Sequence, residues 1–570
     1  MIRTLLASTA LLLAACATAP TSVPSGDDLS GEAKLFADFL AGTYASNVED
    51  AEARAAYYSR AFARAPDDPF IGRRALSFAL LNGDLVSARA IATDLARLDP
   101  TEPMARLVLG ERAFARGNEA EALRYFEAPT ADFTMGIAMQ IQRGWAQYAA
   151  GDAEAARKTF EELPGGPVFE TLGQLQLALI DGEQGRTDQA LDRLGTVETA
   201  ELFETEAAIT KAAILANSDR HEEAIDGLVA FNSEGGNLET GPAANLVQEL
   251  RDGKSPQIVS TPRTQAAAAL TAPSFPFFVR GGALDAAEIY LRFALDLDPD
   301  YDLAKILLGN ILVASDRNDE ALALYRSIKD ESDYVVSGRL AEANVYFDRD
   351  EDAKALEVLE AIAALKPAVV TREALGRARL IRENYAEALP IYDALVESLT
   401  PEQLASDPTP LYLRAVALER EDRFTEAVRD FRRVLEIDPD NAEALNYLGY
   451  TWVDRGENLR EAFDMIEKAV ELEPDSGAIT DSLGWAHYKL GNYTEARRYL
   501  EKAAELSPSS ATIIDHLGDV YWKLGRYREA GYQWERALDL DPTDEERTAI
   551  VQKLERGLEG TRTVSADPAP

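Results

Sequence analysis

Two stretches near the end of the chain constrain its fold more than any other feature. "DSLGWAHYKLGNYTEARRYLEKAAELSP" begins at Asp481, and "DHLGDVYWKLGRYREAGYQWERALDLDP" begins at Asp515. They are 34 residues apart and share 13 of 28 positions. The same register runs back through the sequence. Ala88, Ala122, Ala156, Ala190 and Ala224 are spaced by 34, as are Ala287, Ala321 and Ala355, with Ala388, Ala427, Ala462, Ala496 and Ala530 continuing it. A small residue precedes many of these by twelve, as at Gly110, Gly144, Gly309, Gly376, Gly484 and Gly518. A proline follows many by twelve, as at Pro100, Pro299, Pro439, Pro474, Pro508 and Pro542. A fixed period of this length must be read before any domain count, because a repeat array replaces several globular units by one stacked series.

The pattern resembles the tetratricopeptide repeat, a helix–turn–helix of 34 residues. The letters have physical reasons. A small residue in the first helix and an alanine in the second let the two axes approach, and a larger side chain there overpacks at a cost of about 1–3 kcal/mol. Large residues four after the alanine, such as Tyr325, Phe431, Leu500 and Trp534, and Tyr58, where Arg54 holds the alanine position of an imperfect first unit, are expected to fill the next gap. Proline lacks an N–H and clashes with the preceding turn, so it closes the second helix. Gly491 and Gly525 suit a left-handed turn between helices, and Asn118, Asp152 and Asn492 are placed to cap the helix that follows. The expected fold is all-α, a superhelical solenoid of about 14 such repeats with no sheet.

The register breaks once at length. Ala224 to Ala287 spans 63 residues instead of 68, through a Gly-, Pro- and Ser-rich stretch in which "PAANLVQELRDG" and "RTQAAAALTA" can each form a short helix. The sequence therefore divides into a first array over 31–235, a degenerate repeat over 236–280 and a second array over 281–545. A terminal helix and tail occupy 546–570. A second irregularity is the extended turn from Glu397 to Pro410.

The beginning of the chain carries a different signal. Arg3 precedes an apolar run from Leu5 to Ala15, too short to span a bilayer as a helix, and the run ends in Leu13-Ala14-Ala15-Cys16. This resembles the bacterial lipobox. The resemblance implies removal of residues 1–15, acylation of Cys16 and a flexible tether over 16–30. Ala17 stands where inner-membrane lipoproteins commonly carry Asp, which favours the periplasmic face of the outer membrane. Cys16 is the single cysteine, so no intramolecular disulfide can form.

Nothing in the sequence suggests catalysis. His221, His487 and His516 lie in no metal-ligand spacing, and no nucleophile elbow or phosphate-binding loop is present. His487 is expected to be a packing residue. No catalytic residue, metal or cofactor is expected. The net charge of −40 would repel a nucleic-acid backbone. Binding of protein is the remaining function. The first helices of the last repeats would present Asn446, Tyr450, Asp481, Trp485, Tyr488, Asp515, Asp519, Trp522 and Lys523 on one inner surface. Aromatic rings among carboxylates suit a peptide or helix with apolar and basic features. Packing between repeats is an equal alternative for Trp485 and Trp522. Some tetratricopeptide adaptors clamp a C-terminal carboxylate with Lys and Asn at this surface; Asp481 and Asp515 stand here instead, which removes that expectation.

The stretch from Ala444 to Leu538, with the lipobox and the length, is similar to large bacterial outer-membrane tetratricopeptide lipoproteins. That resemblance implies an adaptor that recruits or activates a periplasmic carboxy-terminal processing protease and holds its cell-wall hydrolase substrates. A scaffold for outer-membrane assembly or peptidoglycan synthesis, without protease activation, is the alternative.

Overall fold

The computed structural model describes residues 31–48, 50–127, 133–164, 166–197, 203–234, 240–274 and 284–558. Cys16 and the tether lie outside these residues. All the regular structure among them is helical, and the chain forms two compact units, Met1–Ile362 and Ala363–Pro570.

Unit 1 opens with six helical hairpins. They pair α1 (Gly31–Asn47) with α2 (Ala51–Arg64), α3 (Pro69–Leu81) with α4 (Leu85–Leu98), and α5 (Pro103–Ala115) with α6 (Glu119–Phe126). Next come α7 (Phe133–Ala149) with α8 (Ala153–Glu161), α9 (Pro167–Glu183) with α10 (Thr187–Val197), and α11 (Glu204–Ala216) with α12 (His221–Glu234). Helix α13 (Pro242–Arg251) precedes the pair α14 (Pro262–Thr271) and α15 (Leu284–Leu297). Helices α16 (Asp302–Ala314), α17 (Asn318–Arg326), α18 (Val335–Asp348) and most of α19 (Asp352–Leu365) complete the unit.

Unit 2 pairs α20 (Val369–Ile381) with α21 (Tyr385–Ser398) and, after the short α22 (Pro401–Ser406), α23 (Thr409–Arg420) with α24 (Phe424–Ile437). Three further pairs are α25 (Ala442–Arg455) with α26 (Leu459–Leu472), α27 (Gly477–Lys489) with α28 (Tyr493–Leu506), and α29 (Ala511–Lys523) with α30 (Tyr527–Asp539). Helix α31 (Asp544–Arg556) closes it.

The repeat letters account for the hairpins. Ala88, Ala122, Ala156, Ala321, Ala427, Ala496 and Ala530 are all fully buried. The large residue four positions later packs on the small residue of its own hairpin, sixteen earlier, and in places it also fills the next gap as expected: Tyr58 stacks on Phe78 at 5.0 Å and Phe431 on Tyr447 at 5.2 Å. A Cβ on Gly518 would lie 2.5 Å from Trp534, and one on Gly484 would lie 2.7 Å from Leu500. The pairing is internal because sixteen residues bring helix, turn and helix back on themselves. At the turn, Gly83 takes φ +71° and Asp84 then accepts from the Ser87 amide at 2.9 Å. Asn118 and Asp152 cap in the same way. Gly491 and Gly525 are likewise left-handed, at +79° and +76°, but Asn492 makes no side-chain cap. Between pairs, the proline carbonyl serves as an acceptor. Lys468 donates to Pro439 at 2.6 Å, Lys502 to Pro474 at 3.0 Å and Arg536 to Pro508 at 2.6 Å.

The interruption at 236–280 lies inside unit 1, and the division between units falls over a hundred residues after Ile258, following Ile362. The reason is long-range packing. Helix α14 rests on α7, and α15 rests on α3 and α5. Arg292 donates to the Leu81 carbonyl at 2.9 Å and pairs with Glu288, which also takes Arg317 at 2.7 Å. Asp296 pairs with Arg89 beside the fully buried Glu111, whose carboxyl is pushed well up by burial and by Asp296. These contacts tie residues some two hundred positions apart into one body.

Candidate functional site

In unit 2 the first helices of successive hairpins lie side by side, α25 against α27 and α27 against α29. Equal register therefore aligns equivalent residues in rows. One row is Asn446, Asp481 and Asp515; the next is Tyr450, Trp485 and Asp519. Continuing the second row by 34 reaches Lys553 on α31.

The rows are chemically joined. The Asp481 carboxylate lies 3.0 Å from His516 Nδ1, deep between α27 and α29. Burial alone would lower the imidazole, but Asp481, Asp515 and Asp519 together hold it above its ordinary value. The Trp485 ring stacks on His516 at 3.9 Å between centroids and on Tyr488 at 4.6 Å. Lys553 Nζ is 2.6 Å from Asp515 Oδ2 and 2.9 Å from Asp519 Oδ1. Trp534 Nε1 donates to the same Asp519 oxygen at 3.0 Å. Burial raises the Asp519 carboxyl in spite of Lys553. Tyr450 stands near Asp481 and Asp454, and burial, with these carboxylates, pushes its phenol up to about 12.

Three polar atoms of this surface are buried and have no hydrogen-bond partner among the described residues: Asn446 Oδ1, Trp485 Nε1 and Asp515 Oδ1. A buried polar group left unpaired costs about 1–3 kcal/mol. The surface thus holds an unspent indole donor beside carboxylate and amide acceptors.

Seven of the nine residues expected on the inner surface gather here: Asn446, Tyr450, Asp481, Trp485, Tyr488, Asp515 and Asp519. Trp522 lies apart, 4.6 Å from Tyr527 and 5.4 Å from Trp534, under Gly557, whose missing side chain leaves room for the indole. Lys523 is exposed at the end of α29. His516 and Lys553 were not among the expected site residues. Lys553 was legible as the next step of the 34-residue register; nothing in the spacing marked His516. His487 packs between Phe463 and Tyr499, with ring centroids at 4.9 and 5.4 Å, and burial lowers its pKa. Among the described residues no group of His, Cys, Asp and Glu is arranged to hold a metal.

Known proteins carry the same repeat. Models described as tetratricopeptide repeat match residues 103–128 and 139–162, 408–441, and 278–335 and 482–545. The chain carries tetratricopeptide repeats over these segments. A TPR repeat-containing protein of Pseudomonas aeruginosa is 29% identical over 200 residues, 35% of this chain and 33% of that relative. The chain therefore matches only a third of the length of this curated tetratricopeptide relative. Among solved structures, the hetero-tetramer Cut9–Hcn1 of APC/C is 16% identical, with a TM-score of 0.36 over 91% of this chain and 95% of that one. MamA of Desulfovibrio magneticus is 21% identical, with a TM-score of 0.26 over 30% of this chain and 94% of that one. Tetratricopeptide repeats point to protein partners, and the aligned rows of α25, α27 and α29 hold three buried polar atoms without a partner among the described residues.

Proposed function

We propose that this chain is a protein-binding scaffold, held at the periplasmic face of the outer membrane through acylated Cys16. In this reading it recruits or activates a carboxy-terminal processing protease and brings cell-wall hydrolases to it. The observation that supports binding is the seating of Lys553 between Asp515 and Asp519. The protein's own cation marks what these rows accept; Asp481 is met by His516, while the Trp485 indole N–H and the Asn446 amide oxygen keep no partner among the described residues. A partner segment that carries Lys or Arg beside an apolar side chain meets both requirements. Tethering then works by local concentration: two proteins on one scaffold meet more often without new chemistry.

Capture from detergent extracts with mass spectrometry tests the identity of the partner. A protease with a Ser/Lys site supports the adaptor reading; synthases or assembly factors in its place support the alternative scaffold and overturn the adaptor. Trp485→Ala is expected to weaken capture by roughly tenfold or more, as for a buried aromatic anchor. Trp522→Ala is expected to act on stability instead, because its ring packs within the fold. Equal loss of capture by both variants at unchanged stability would remove the distinction. Cys16→Ser is expected to move the protein from membranes to the soluble periplasm, read by fractionation; continued sedimentation with membranes would exclude the anchor.

A further inference from the structure

Helix α1 has an exposed face unlike that of the other end of the described chain. Phe36, Leu40 and Tyr44 recur every four residues and are 58%, 50% and 69% exposed, and Val48 just beyond the helix is 53% exposed. Seven residues of α1 are exposed, and Glu32 is the one charged residue among them. Helix α31 exposes eight residues, of which five are charged. A terminal helix of a repeat array needs a polar outer face to stay soluble. Helix α31 meets that requirement and α1 does not.

The opposite face of α1 is already used. Phe39 lies 5.5 Å from the Tyr58 ring, Gly42 lies against that ring, and Asp38 is held by Arg60 at 3.2 Å and Arg64 at 2.8 Å. The exposed stripe is thus a separate surface, and the anion on this helix is neutralised from the other side.

We propose that the Phe36–Leu40–Tyr44 stripe of α1 docks on a phospholipid bilayer surface. The proposal rests on the lipid-anchor reading above. Three observations choose this occupant. Fourteen residues separate Cys16 from Gly31, so α1 lies at most about 50 Å of chain from the acyl groups. Residues 31–75 carry six basic and seven acidic side chains, net −1, against −40 for the whole chain, so this segment escapes strong repulsion from anionic lipid. Residues 17–30 contain only Val23 and Leu29 as large apolar residues, too little to cover the stripe themselves. A helix with a wide apolar face and few charges on it settles in the headgroup region with its axis in the plane, and a tyrosine suits that depth.

The test uses the full lipidated chain in vesicles of phosphatidylethanolamine and phosphatidylglycerol. An environment-sensitive label is attached after Tyr44→Cys or, as reference, after Val86→Cys, a position 79% exposed on α4. The label at position 44 is expected to shift to the blue and to be quenched several-fold more strongly by brominated lipid than the label at 86. Equal quenching at both positions overturns the proposal. Energy transfer between labels at 44 that rises with protein density, with no lipid quenching, overturns it in favour of a second copy of the chain. Protection of position 44 that persists without vesicles overturns it in favour of residues 17–30. If Cys16 proves unacylated by mass spectrometry, the anchor reading fails by itself. Direct titration of that protein with the same vesicles then still decides the stripe, and a blue shift at 44 that Leu40→Glu abolishes supports it, whereas no shift overturns it.

Discussion

Trp534→Ala is expected to lower the stability of the last hairpin by about 3–5 kcal/mol. Trp534 is among the largest fully buried side chains of unit 2. Its ring fills the space over Gly518 that any Cβ would occupy, 2.5 Å away. Truncation leaves a cavity that α29 and α30 can close only by approaching each other, which Ala530 and Gly518 already permit to the limit. It also strips Asp519 of the indole donor at 3.0 Å. Because repeats open locally, the readout is amide exchange in α29 and α30 within the full chain, where protection should fall by about two orders of magnitude or more. Trp534→Phe separates the two causes: it keeps most of the volume and loses the hydrogen bond, at about 1 kcal/mol. A loss under 1 kcal/mol for the alanine variant would show that the hairpin recloses, and the close-approach argument would fall.

Lys553→Met is expected to free α31 from the end of unit 2. Lys553 is the cation shared by Asp515 and Asp519, and its own side chain is only 12% exposed. Removing one partner of a buried ionic group leaves an uncompensated charge, at about 3 kcal/mol or more. The loss has a predictable pH dependence. The Asp519 carboxyl is raised by burial even with the cation in place, and without it the rise must be greater. A carboxyl whose folded-state pKa is raised favours the fold while it is protonated and opposes it as pH climbs through that value. The variant should therefore be weakest at neutral and alkaline pH and recover on acidification, where the wild type gains nothing comparable from this site. His516 faces the same carboxylates and, charged, adds to the recovery. Limited proteolysis after α30, followed across pH, measures this. Cleavage of the variant that is independent of pH would show that Asp519 is not the group left unpaired. Asp519→Asn combined with Lys553→Met should restore much of the protection.

Much of this molecule could be read in order of residues alone. The hairpins are local objects: an alanine, a small residue twelve earlier and a large one four later meet within one helix–turn–helix. The contacts that form them therefore repeat as visibly in the letters as in space. The buried alanines, the left-handed turn glycines and the helices α13 and α14 follow from such short-range rules. Even the row that ends at Lys553 is a register effect: α31 reads as a closing helix and tail, yet it continues the period.

Other features needed the folded arrangement. The docking of α14 and α15 on α3, α5 and α7 joins Asp296 to Arg89 across two hundred residues, and no period announces it. His516 carries no motif, and its importance comes from Asp481 and Trp485 converging on it from α27. The separation of Trp485 from Trp522, alike in the sequence, arises because α30, α31 and Gly557 enclose one ring and leave the indole nitrogen of the other without a partner. In each case the energy depends on burial and on which charges share a low-dielectric space. That is a property of several helices at once, and a one-dimensional pattern does not encode it.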